Sequence, residues 1–137
     1  MDQRSFGVTA LVAVAILLLS LSSCAREQRL VSITLQPSGG FVFEGHQATG
    51  QFTAYGSYIH PPETKDITSK VVWSLDIANF ADLTETGLIT YIRSDGCGHG
   101  DVTASFYSDP KNPSAGSVLV ASAPVKGAND GTTACNP

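Results

Sequence analysis

The chain is short of charge. Only 15% of its 137 residues are Asp, Glu, Lys or Arg, against roughly a quarter in an average soluble domain. Part of the shortfall lies in an apolar N-terminus. The remaining charge leans acidic, with 12 carboxylates against 8 Lys and Arg and a formal net charge of −4. No basic stripe runs through the sequence, which excludes the phosphate-neutralising surface that nucleic-acid binding needs. Cysteine is also scarce: the 3 present are an odd number, which cannot close as a disulfide framework without one being used elsewhere. After the apolar start, no segment sustains a helical period, which excludes a helix bundle. No serine sits in a Gly-x-Ser-x-Gly turn. His46, His60 and His99 fall singly in turns or at strand ends. Asp95, Asp101, Asp109 and Asp130 lack the spacing of a calcium loop. An enzyme is therefore not expected, nor a cofactor or a resident metal. The length leaves room for one domain and not for two full cores.

What is present begins with the one long apolar run, Phe6 to Leu19. It is shorter than the roughly 20 residues that span a bilayer as a helix, and it suits the apolar region of a signal peptide. The run ends at Ser20-Leu21-Ser22-Ser23-Cys24. Leu21-Ser22-Ser23-Cys24 resembles the lipobox of bacterial lipoproteins. In that motif small residues admit the peptidase, and the cysteine thiolate takes a diacylglyceryl group. The resemblance implies a cleaved leader, residues 1–23, and a lipid on Cys24, followed by a linker, residues 24–29. Only Arg4 and the terminal amine give the leader positive charge, and Asp2 offsets one of them. The implied address is the bacterial cell envelope, extracytoplasmic, with the membrane as a partner through the lipid. Ala25 stands where an aspartate would retain a lipoprotein at the inner membrane in enteric bacteria, which favours the outer membrane.

From Leu30 the pattern is that of strands. Val31, Ile33 and Leu35 alternate with Ser32, Thr34 and Gln36. Phe41–Phe43, Gln47–Tyr55, Val71–Leu75, Phe80–Leu83, Leu88–Ile92, Val102–Phe106 and Val118–Ala123 follow. They are separated by Pro37-Ser38-Gly39-Gly40, the Pro61-Pro62 loop, Thr84-Glu85-Thr86-Gly87 and a turn-rich Asp109–Gly116. Gly87 is expected at positive φ in a hairpin turn. Either face of the last strand could be the buried one. The pattern predicts an all-β, immunoglobulin-like Greek-key sandwich of seven to eight short strands. Trp73, alternating with Val71 and Leu75, is expected as its large core residue, with a truncation cost of about 3–5 kcal/mol.

Val31-Ser-Ile-Thr-Leu-Gln-Pro37, Gly50-Gln-Phe-Thr-Ala-Tyr-Gly56, Asp66-Ile-Thr-Ser-Lys-Val-Val-Trp-Ser74, Ala81-Asp-Leu-Thr-Glu-Thr-Gly-Leu-Ile89 and Gly100-Asp-Val-Thr-Ala-Ser105 occur in that order. As a set they resemble the group 2 bacterial immunoglobulin-like domain of intimin and invasin. The resemblance covers residues 30–125. It implies a sandwich used for adhesion, for protein or carbohydrate binding, or as a passive spacer, and carries no catalytic residues. Two stretches depart from the family pattern. Pro61-Pro62-Glu63 replaces a short Asp-Gly-type turn, and Ser94-Asp95-Gly96-Cys97-Gly98-His99-Gly100 puts a cysteine in a Gly-rich turn. The tail, residues 126–137, runs past the usual domain end.

With Cys24 lipidated, Cys97 and Cys135 remain as a pair. In an oxidising compartment a disulfide that ties back the tail is the expectation. The competing reading is a metal site of Cys97, His99 and Cys135. Tyr55, Tyr58 and Tyr91 are the candidate binding surface for a protein or glycan, against the alternative that they pack within the sandwich. A monomer is expected. A binding module should present a contiguous exposed aromatic or apolar patch, and a spacer should not.

Overall fold

A computed structural model describes residues 27–77 and 79–135. The leader, the lipobox residues Leu21, Ser22 and Ser23, and Cys24 lie outside the described residues. Ten strand segments follow one another: β1 (Arg29–Gln36), β2 (Phe41–Phe43), β3 (Thr49–Gln51), β4 (Thr53–Ile59), β5 (Glu63–Asp66), β6 (Val72–Leu75), β7 (Ala81–Leu83), β8 (Leu88–Tyr91), β9 (His99–Tyr107) and β10 (Val118–Gly127). The fold is the expected all-β, immunoglobulin-like sandwich.

One layer has the order β2-β10-β9-β6. The other is built from two small sheets, β1-β4-β5 and β3-β8-β7. They share one extended run, Thr49 to Ile59, interrupted only at Phe52. The Phe52 amide leaves the ladder and donates to the Gly87 carbonyl at 2.9 Å. Gly87 makes that approach possible. It holds φ +79° in the hairpin turn, as expected, and a Cβ there would lie 2.7 Å from the Phe52 carbonyl oxygen. The chain crosses between layers after β1, so that β2 runs parallel to the end of β10.

The core lies between the layers and is apolar. Phe52, Phe80, Ile89, Tyr91, Val102 and Ala104 are each 0% exposed. Phe52 is its aromatic centre, with Phe41 edge-on at 4.8 Å and Trp73 tilted at 6.4 Å between ring centroids. Trp73 packs against the core and does not form its centre: it is half-buried, and its indole N–H donates to the Thr68 carbonyl at 3.0 Å. Its polar edge holds it at the rim, where that carbonyl is available.

Three local features differ from the sequence expectation. First, Leu30 pairs with Tyr58 and Ser32 with Ser57, leaving Val31 as an extra residue in a bulge. The bulge inverts the alternation, so Leu30 packs on the core and Val31 is 38% exposed. Second, β5 forms beside β4 where a loop was expected, pairing Glu63 with Tyr58 and Lys65 with Gly56. Its Glu-Thr-Lys-Asp sequence has no apolar alternation to announce a strand. Third, β10 continues past Val125, because Lys126 and Gly127 pair with Val42 and Phe43 of β2. The face left open by the sequence is also settled: Ala123 and Val125 are buried, while Val118 and Val120 point out at 43% and 54% exposure.

Candidate functional site

The three tyrosines do not form one surface. Tyr55 lies on the outer face of β4, between Thr34 of β1 and Asp66 of β5. Tyr58 shares the inward parity of Ala54 and packs at the open end between the layers. Tyr91 is a core residue, 0% exposed. Its ring stacks on Phe43 at 5.6 Å and lies 6.3 Å from Phe80. Its hydroxyl donates to the Cys97 carbonyl at 3.0 Å. Burial pushes this phenol above its ordinary pKa. Tyr91 is therefore removed from the expected binding surface. Strand parity sends neighbouring positions to opposite faces, so tyrosines drawn from two strands share a face only if their registers agree.

The end of the sandwich where β1 begins is held by a polar clasp. Gln28 Nε2–H donates to Glu63 at 3.0 Å, and Lys65 Nζ donates to Gln28 Oε1 at 2.8 Å. Lys65 also pairs with Glu63 at 3.0 Å and sits 5.3 Å from the Tyr58 ring centroid. The Gln28 hydrogen bond, followed by that from Lys65, lowers the Glu63 pKa. Within the expected 24–29 linker, Gln28 is thus tied to β5 and Arg29 already belongs to β1. Above the clasp, Leu30, Val31, Tyr58, Phe106 and Leu119 line an open cleft of about 760 Å³ between the layers.

The opposite end carries the disulfide. Cys97 and Cys135 are bonded, 38 residues apart. With both sulfurs so engaged, the Cys97, His99 and Cys135 metal reading does not hold. His99 instead faces Asp130, with 3.1 Å between ring nitrogen and carboxylate. Among the described residues, no three His, Cys, Asp or Glu side chains converge. Backbone bonds reinforce the closure: the Ala128 N–H donates to the Phe43 carbonyl at 2.9 Å and the Asn129 N–H to the Gly96 carbonyl at 2.8 Å. Gly127 permits this approach, since a Cβ there would lie 2.1 Å from the Gly96 carbonyl oxygen.

Asp95 organises the same loop. Its carboxylate accepts from Arg93 Nε–H at 2.9 Å and from the Cys97 amide at 3.0 Å, and its carbonyl accepts from Asn129 Nδ2–H at 2.7 Å. The Arg93 guanidinium, then the Cys97 amide, hold the Asp95 carboxyl well below its ordinary range. A carboxyl more acidic folded than unfolded contributes stability above its unfolded pKa, near 3.8, and loses it as pH falls through the depressed folded value. Acidification from about pH 5 to about pH 2 is therefore expected to increase exchange of the Cys97 amide relative to the intrinsic rate of an unstructured amide at the same pH, that is, to lower its protection. In Asp95→Asn that acid-dependent increase should shrink, as followed by hydrogen exchange. An equal increase in the variant would remove Asp95 as its cause.

The outer face of the β2-β10-β9-β6 layer carries a feature that the sequence reading did not single out. Val72, Ser105 and Val120 are in one cross-strand row, and Tyr107 and Val118 form the next. Val72 is 56% exposed, comparable to Val120 at 54%. The next row toward the disulfide is Ser74, Thr103 and Ser122. This part of the face is thus uncharged and carries three exposed valines, with Ser105 between Val72 and Val120 and Tyr107 beside Val118. Val118 and Val120 could have pointed to this patch from the sequence, but only the pairing with β9 and β6 brings Val72 alongside. No protein-family model matches the chain, and no curated protein matches it.

Proposed function

We propose that this chain is an exported, lipid-anchored immunoglobulin-like module of the bacterial cell envelope that binds another protein. The exposed row formed by Val72 and Val120, flanked by Val118, carries the reading. Exposed apolar side chains gain free energy by leaving water. Val118 and Val120 are neighbours on β10 and Val72 stands across Ser105 from Val120, and such a patch is what separates a binding module from a passive spacer. The resemblance to the group 2 bacterial immunoglobulin-like domain supports the envelope-module part of this reading, and is as compatible with a spacer as with a binder. The lipobox-like Leu21-Ser22-Ser23-Cys24 supports the anchor, and the Cys97–Cys135 disulfide supports an oxidising compartment. Outer-membrane placement follows from Ala25 by analogy with enteric lipoproteins.

Two readouts on one membrane preparation test this. Intact mass is expected to show a chain starting at Cys24 with acyl mass on it. Crosslinking in intact cells is expected to recover one protein in near-equal amount, and the Val72→Thr/Val118→Thr/Val120→Thr variant should lose it. A mass that retains Met1 or lacks acyl groups overturns the anchor. Recovery of only abundant envelope proteins, unchanged by the variant, overturns the binding role in favour of a spacer.

A further inference from the structure

We propose that the open cleft between the layers holds one acyl chain of the lipid on Cys24. This rests on the lipid-anchor reading above and gives that lipid a second apolar site, on the domain itself.

The cleft has an apolar floor. Leu30 of β1, Tyr58 of β4, Phe106 of β9 and Leu119 of β10 line it, and each is half-buried with one side packed on the core. They come from both layers and meet at the end where β1 begins. The bulge at Val31 contributes, because it turns Leu30 inward. Four large side chains left partly wet at one opening keep apolar surface in water, which is unfavourable.

The polar part of the lining is engaged elsewhere or faces water. The Ser117 N–H and hydroxyl both donate to Ser108 Oγ, at 2.9 Å and 3.2 Å. Gln28 is held in the clasp with Glu63 and Lys65. Glu27 and Arg29 are exposed at the rim, and neither has an ion-pair partner among the described residues. The floor therefore suits apolar atoms, and the rim suits the polar end of an amphipathic molecule. A volume of about 760 Å³ is within the usual size range of small-molecule sites.

The sequence places such a molecule beside the cleft. Cys24 precedes Glu27, itself a lining residue, by three residues. Three residues reach at most about 11 Å. A lipid acyl chain spans one leaflet of the hydrocarbon core, about 15 Å. A lipid on Cys24 thus has the reach to enter, and the short tether keeps its local concentration high. Moving from bilayer to cleft leaves the chain in apolar surroundings either way. The gain lies on the protein, where the floor leaves water. A chain held there no longer counts toward the membrane anchor, whose strength rises with each buried methylene. A lipid of the surrounding bilayer has similar chemistry but lacks the tether, so it loses more freedom on binding.

The test uses the acylated chain in nanodiscs of phospholipids with deuterated acyl chains, which differ in mass from the protein's own lipid. The photoreactive residue benzoylphenylalanine is placed at Phe106, on the floor, or at Ile59. Ile59 follows Tyr58 on β4 and pairs with Arg29, so it stands at the same height on the opposite face. Irradiation is expected to join position 106 to the lipid of Cys24, read by mass spectrometry as a peptide with undeuterated acyl mass. Position 59 should give no such product. Leu119→Asp puts a carboxylate on the floor and should abolish the product at 106, whereas Leu119→Ala, which stays apolar, should retain it. Circular dichroism should show the sheet intact in both variants. A product with deuterated lipid at 106 assigns the cleft to a bilayer lipid and overturns the proposal. Equal yield at 59, or an unchanged yield in a folded Leu119→Asp chain, overturns it too. So does the absence of any product at 106 in a chain that carries acyl mass. A chain without acyl mass on Cys24 overturns the anchor reading and this inference together.

Discussion

Replacing Cys97 and Cys135 together by Ala is expected to lower the unfolding free energy by up to about 4 kcal/mol. The figure follows from the 38-residue separation, which the chain-entropy account converts to a cost on the unfolded ensemble of roughly this size. The native fold should survive the change. Ala128 and Asn129 keep their backbone bonds to Phe43 and Gly96, and Lys126 and Gly127 keep their pairing with β2. The bridge thus acts mainly on the unfolded chain, with a local effect on residues 130–135. Urea unfolding of the variant, against the oxidised chain, measures the loss. Loss of the whole β-sheet signal without denaturant would show instead that the bridge is needed to assemble the sandwich. A change below about 1 kcal/mol would mean that the reduced chain already keeps these ends together.

Phe52→Ala is expected to cost about 3–5 kcal/mol, more than Trp73→Ala. Phe52 is 0% exposed and packs between Phe41 and Trp73. It sits where the extended run passes from one small sheet to the other, so neighbouring backbone cannot easily collapse into the space it leaves. Trp73 is larger but half-buried at the rim. Its removal leaves a depression open to water rather than a closed void, although it strands the Thr68 carbonyl. Denaturation midpoints of the two variants, converted with their own slopes, decide the order. A larger loss at Trp73 would place the energetic centre on β6 rather than on the β3–β4 run.

Size misled the sequence reading at Trp73 because side-chain volume says nothing about depth. The same limitation explains the tyrosines. Tyr55, Tyr58 and Tyr91 are alike in the sequence, yet one faces out, one lines the mouth and one is fully buried. Val31 shows a smaller version of it. The alternation through Ile33 and Leu35 is real, but the bulge above Ile33 reverses the faces. β5 was missed because an edge strand can be held by main-chain pairing alone and needs no apolar period.

The sequence by itself determined the elements that depend on near neighbours. Period-two alternation marked β1, the merged β3–β4 run, β6 and β9, short apolar pieces between turns marked β2, β7, β8 and β10, and the Thr84–Gly87 turn put Gly87 at positive φ. Setting Cys24 aside on its lipobox resemblance left Cys97 and Cys135 as the expected pair, and these two are bonded. Tertiary structure alone decided which faces meet. Val72, Ser105 and Val120 come from three distant segments, and only strand register sets them side by side. Local sequence constrains the dihedral preferences and alternation of each strand, but a partner far along the chain, chosen by packing, decides what each strand leaves exposed.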